Sequence, residues 1–232
     1  VFGDNEHFLS ALVQQSYQKN KSNAVSSSGE APPAAGLFFV GSFPTNRDAG
    51  GSFSDWRQLS YTGVVNYSYR DKYIANVTWR NDGSSRFASG YRFGDFFSFG
   101  AAWNISQENF LADNSVINNL KLRASYGETG DSNIALNQYQ SLFGYSAAYN
   151  EAGAVFPTSF GNAIISWEKA EKLDLFLDFG LFNNRISGSV GYYERKSNDL
   201  LQSVPLSLTS GHSSQTQNVG DVVNKGIELE FD

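Results

Sequence analysis

The chain has 232 residues, 17% charged and 15% aromatic, with a net charge of −6 and only two histidines. It has no cysteine, which excludes disulfides, thiolate metal ligands and a thiol nucleophile. The acidic balance argues against a nucleic-acid binder, and no apolar run reaches the ~18 to 20 residues of a membrane helix.

Residues 1–17 lack the basic start and continuous apolar centre of a signal peptide. From there the pattern has a period of two, the signature of strands. A first strand is expected over 6–18, followed by a long loop over 19–55. The loop runs "SSSGE" and "DAGG" precede no helix, so they read as flexible chain and not as phosphate cradles. In 56–70, Tyr61, Gly63, Val65, Tyr67 and Tyr69 share one face. In 73–81, Tyr73, Ala75, Val77 and Trp79 alternate with Ile74, Asn76, Thr78 and Arg80. The turn "RNDGSSRF" separates that strand from the next, at 92–106, and Asp82-Gly83 supplies its turn chemistry. "SQENFLADNSVINN" has room for one short helical turn. Further strands are expected at 119–128, 168–182, 185–197 and 222–232. In "KLDLFLDFGL", for example, Leu173, Leu175, Leu177 and Phe179 oppose Asp174, Phe176 and Asp178.

One apolar and one polar face per strand suits a soluble antiparallel sandwich and equally a membrane barrel with a wet lumen. Two features favour the barrel. Aromatics stand near both ends of the apolar stripes, as interfacial girdles require. The tight links "RDK" and "FNNR" fall on one side, and the longest links (19–55, 129–167 and 198–221) fall on the other. Short turns on one side and long loops on the other are typical of outer-membrane barrels.

Several stretches then stand together: "NYSYRDKYIANVTWRNDGSSRF", "SFGAAWNIS", "LKLRASYGETGDSNI", "WEKAEKLDLFLDFGLFNNRISGSVGYYERKSNDLL" and "TQNVGDVVNKGIELEF". In this order they resemble the barrel of SusC/RagA-type TonB-linked outer-membrane transporters, from about Leu59 to the end of the chain. The first 58 residues match less clearly. The resemblance implies an all-β fold, an antiparallel transmembrane wall of about eight strands from a plugged barrel of ~22 strands. Residues 1–232 would then be part of the barrel domain, with the plug and the TonB-contacting segment outside this chain. It further implies uptake of oligomeric glycan or peptide, a SusD-like surface lipoprotein as lid, energy through TonB, and a location in the outer membrane among lipid. No cofactor and no enzymatic activity are expected. The alternatives are a self-contained small barrel with a structural or adhesive role, and a soluble carbohydrate-binding sandwich.

Arg80, Arg123, Asp174, Asp178, Glu228 and Glu230 fall on the wet face. They would contact solute or plug, or simply form a solvated, salt-bridged lining. The loop aromatics Trp56, Tyr91, Tyr139, Tyr145, Tyr149 and Trp167, with Phe143 and Phe160, would stack on substrate, meet a partner or pack the loops together. Arg86 is expected beyond the membrane, near acidic or lipid head groups. Asp48, Asp55 and Asp131 lack the spacing of a calcium loop. His7, and His212 beside Ser213, lack the base and orienting acid that catalysis would need.

Overall fold

The computed structural model describes residues 6–31, 34–36, 39–111, 114–149 and 152–231; the side chains of 146–149 lie outside the described set. The chain divides into two compact units, Val1–Tyr17 with Gln58–Asp232, and Gln18–Arg57.

Twelve strands are present among the described residues, and eight of them form one antiparallel sheet. These eight are β1 (His7–Glu30), β2 (Thr45–Tyr69), β3 (Tyr73–Ser84), β4 (Phe93–Asn104), β5 (Ile117–Asp131), β8 (Glu168–Leu181), β9 (Ile186–Asn198) and β12 (Val222–Phe231), in that spatial order. Every expected strand is present. The expected short turn is there as a 3₁₀ turn at Ile105–Gln107. Among the described residues the sheet is open, with β1 and β12 as its edges, and the closed ring of a self-contained barrel is not formed.

Two loops expected to be irregular contain hairpins: β6 (Leu142–Tyr149) with β7 (Ala152–Ser159), and β10 (Leu201–Pro205) with β11 (Ser214–Asn218). The expected 19–55 loop is mostly strand. β1 runs for 24 residues and β2 for 25, and their distal parts form the 18–57 unit. Inside that unit, Asn46 donates to Glu30 at 2.5 Å and Lys21 pairs with Asp55 at 3.8 Å. Backbone pairing holds a polar ribbon of this kind, which is why no apolar stripe announces it.

From β2 to β12 the register keeps the two faces apart. On one face Val77 lies beside Phe99, Ala101 beside Ala124, Leu122 beside Leu177, Val190 beside Leu229, and Tyr192 beside Ile227. Of these, the valine, leucine, isoleucine and phenylalanine side chains stay exposed, Val77 by 46%, Phe99 by 50% and Leu229 by 62%. A soluble sandwich would bury such a face under a second sheet, so this exposure rules out the sandwich alternative.

The turns are built to match. Arg70 and Asp71 both have left-handed φ, of 50° and 54°, which a type I′ hairpin requires. Asn104 donates from its side-chain amide to the Asp71 carbonyl.

Candidate functional site

The polar face is assembled across six strands. From β3 to β12, Asn76 lies beside Gly100, Gly100 beside Ser125, Ser125 beside Asp174, Asp174 beside Tyr193, and Tyr193 beside Gly226. The same register places Arg80, Arg123, Asp174, Asp178, Glu228 and Glu230 on this one face. Arg123 donates twice to Asp178, at 2.6 Å each, and lies over the Phe176 ring at 5.2 Å. Lys172 meets Asp174 at 2.9 Å, and Arg80 meets Asp82 at 3.1 Å. Phe176 in turn lies on Gly191, where a Cβ would collide with its ring. Glu228 lines a groove with Arg123, Lys172 and Arg195. Each of these pairs is partly solvated, so it is worth at most about 1 kcal/mol. Together they neutralise the charged face of the wall.

The apolar face is bounded at both ends by aromatics with polar anchors. Near the short turns, His7, Tyr69, Tyr73 and Trp103 form a ladder of rings, with centroids 4.7, 6.4 and 6.3 Å apart. Glu108 accepts from the Tyr73 hydroxyl at 2.6 Å and from the Trp103 indole at 3.1 Å, beside Lys72 at 3.4 Å. The Tyr73 hydroxyl foremost, then the Trp103 indole, holds the Glu108 carboxyl below its ordinary range. In the same region the Arg70 guanidinium lowers Glu6. At the opposite end, the Trp79 indole donates to Asp95 at 3.1 Å and Tyr192 donates to Glu194 at 2.9 Å. Rings with one apolar body and one anchored polar tip suit the two surfaces of a bilayer.

On the long-loop side lies a buried hydrophobic cluster that the sequence reading missed. Phe87 and Ile165 are fully buried, and Phe96, Ile134 and Trp167 are 2 to 6% exposed. Trp167 is 5.3 Å from the Phe87 ring and meets Phe96 edge-on at 5.7 Å. Phe96 occupies space over Gly130 that a Cβ would take. Polar clamps tie the loops together around this cluster. Asn218 exchanges hydrogen bonds with the Ser166 backbone at 2.9 and 3.0 Å, and Asn162 donates to the Thr216 carbonyl at 2.9 Å.

The "RNDGSSRF" segment is therefore not a free tip. Arg86 donates to the Ile134 carbonyl instead of reaching outward to head groups. Trp167 also departs from its expected role. It is 5% exposed and its indole donates to the Arg92 carbonyl at 3.0 Å, so no ring face is left for a ligand. Tyr139 is half-buried against the cluster. Tyr91 is 40% and Tyr145 82% exposed. Trp56 is half-buried in the 18–57 unit, and Tyr149 is placed on β6 with its side chain outside the described residues. Among the described residues no group of carboxylates or histidines could hold a metal. The signal for the cluster was present as apolar residues inside polar loops, at Phe87, Ile134 and Ile165, but not their long-range pairing.

An open antiparallel wall with one lipid-type face, one water-type face and sorted loops defines the class: a transmembrane β-barrel wall of the outer membrane. The TonB-dependent receptor-like β-barrel family matches residues 2–232, and the chain belongs to that family. The match includes residues 2–58, where the motifs themselves are less distinctive. TonB-dependent receptor P3 of Formosa agariphila is 38% identical over 97% of this chain and 23% of the receptor. The receptor SusC of Bacteroides thetaiotaomicron is 37% identical over 75% of this chain and 18% of its own length. Among solved structures, the RagAB peptide importer in its closed-closed state superposes with a TM-score of 0.89 at 31% identity, over 98% of this chain and 26% of that one. The chain thus spans about a quarter or less of the relatives it matches. These relatives are receptors and transporters.

Proposed function

We propose that this chain is a wall sector of an importer that carries oligomeric nutrients, glycan or peptide, across the outer membrane. The remainder of the barrel would cover the open edges of β1 and β12, because unpaired backbone groups in lipid cost several kcal/mol each. A plug lying outside this chain would fill the lumen and respond to TonB. A SusD-like lipoprotein would close over the long-loop side, where Tyr91 and Tyr145 present exposed rings. Arg80, Arg123, Asp174, Asp178, Glu228 and Glu230 would line the water-filled path or meet the plug.

The observation that carries this reading is the two-faced wall, in a chain 98% of which superposes on a peptide importer. Its test is uptake of labelled oligopeptides and oligosaccharides by cells carrying the full-length receptor. The expected result is accumulation that stops when the receptor is deleted or the proton gradient is collapsed. Accumulation indifferent to both would overturn the importer reading.

A further inference from the structure

The two hairpins in the long loops enclose a cavity of about 360 Å³ between the β6–β7 and β10–β11 regions. Its volume is at the lower end of ligand pockets, which run from about 300 to 1,000 Å³. No Asp, Glu, Lys or Arg lines it. Phe160 and His212 form one wall as stacked rings, 5.4 Å between centroids and 30° between planes, and Phe160 is 47% exposed. Gln138, Thr158, Ser203 and Ser213 are among its polar lining, beside the apolar Ala135, Leu136 and Leu142. Among the described residues these four make no side-chain hydrogen bond, so their donors and acceptors are open. Gln215 is held in place, donating to the Gly161 carbonyl at 2.7 Å while its oxygen accepts from Gln217 at 2.9 Å.

The chemistry of this cavity differs from that of the barrel groove. The groove, about 640 Å³, is lined by Arg80, Lys172, Asp174 and Arg195 and suits a charged or zwitterionic solute. In the loop cavity a peptide terminus or charged side chain would lose water and find no counter-charge, which is costly. A neutral, polyhydroxylated ligand avoids that cost. Its hydroxyls can both give and take hydrogen bonds with Ser, Thr and Gln side chains. Its C–H face can lie on the Phe160 ring.

We infer that the cavity between the two loop hairpins is a binding subsite for a neutral oligosaccharide, with Phe160 as stacking platform. The inference rests on the importer reading only for its purpose, since the binding itself is a property of the loops. It also selects glycan over peptide as the solute first captured on the outer side.

The experiment uses the full-length receptor in detergent against a panel of neutral oligosaccharides and a peptide library of matched size. The expected result is binding of a neutral glycan that weakens at least tenfold in Phe160→Ala and in Thr158→Trp. Glu108→Gln, at the short-turn end of the wall, should leave it unchanged. Thr158 is exposed at the rim, so its tryptophan variant fills the cavity without opening the fold. Heat-modifiability of each variant confirms a folded barrel. Failure of every neutral glycan to bind, or glycan binding indifferent to both variants, would overturn the subsite. Energised uptake in cells with no such binding would sink the subsite and leave the importer reading standing. Glycan binding that obeys the variants, with no energised uptake, would do the reverse.

Discussion

The membrane wall and the loop cluster solve opposite problems with the same residue types. On the wall, Val77, Phe99, Leu175 and Leu177 are 37 to 50% exposed and face outward, while small and charged side chains face inward. On the long-loop side, Phe87, Ile134, Ile165 and Trp167 of the loops and Phe96 of β4 turn inward and lose nearly all contact with solvent. The wall has hydrocarbon as its solvent and needs no apolar core. The loops stand in water, so they build a small globular core of their own. Exposure of a leucine therefore means something different in each region.

The largest effect is expected in the loops. Phe87→Ala removes a fully buried ring, a loss of about 3 to 5 kcal/mol. The damage should stay local, because loops open independently of the element that carries them. Limited proteolysis should cut within 131–167, while the barrel still migrates as a folded, heat-modifiable band. Loss of the folded barrel would mean that wall and loops form one cooperative unit.

On the wall the test is which face receives a charge. Val77→Arg or Leu177→Arg places a guanidinium in hydrocarbon, at about 2 to 4 kcal/mol near the midplane. Thr78→Arg faces water and should cost far less. Denaturant titration in vesicles of the full-length receptor measures both. Equal damage at Val77 and Thr78 would remove the distinction between the two faces.

The smallest effect concerns the girdle. Glu108 is depressed in the folded state, chiefly by the Tyr73 hydroxyl. Its contribution is therefore present above the ordinary carboxyl range and lost as pH falls through the depressed value. Wild type should lose stability in that acidic window relative to Glu108→Gln, with the difference fading once the carboxyl is protonated. Parallel pH profiles for the two proteins would show that the carboxylate adds nothing.

The same contrast explains what could be read from the sequence. The eight wall strands were legible because each alternates against two unlike solvents, as Leu173 to Phe179 do against Asp174 to Asp178. The distal halves of β1 and β2 and the hairpins β6–β7 and β10–β11 were not. Stretches such as "QKNKSNAVSSSGE" are polar on both faces and are held by backbone pairing. The six charged wall positions were legible as a face, since parity alone assigns them. The burial of Trp167 was not, because its partners Phe87 and Phe96 are far away in sequence and local pattern carries no trace of them. Phe160 and His212 were visible singly, but not as a stacked pair.

The central claim is that neighbouring residues of one strand face lipid and water in turn. These 232 residues contain no cysteine, so once any cysteine elsewhere in the full-length receptor is replaced by serine, single-cysteine variants can be spin-labelled without background. The direct measurement is collision of labels at successive positions from Lys172 to Gly180 with oxygen and with a polar nickel chelate, in the full-length receptor in bilayers. The account predicts a period of two: oxygen reaching Leu173, Leu175, Leu177 and Phe179, and the chelate reaching Asp174 and Asp178. A flat profile, or chelate access at Leu175 and Leu177, would contradict it.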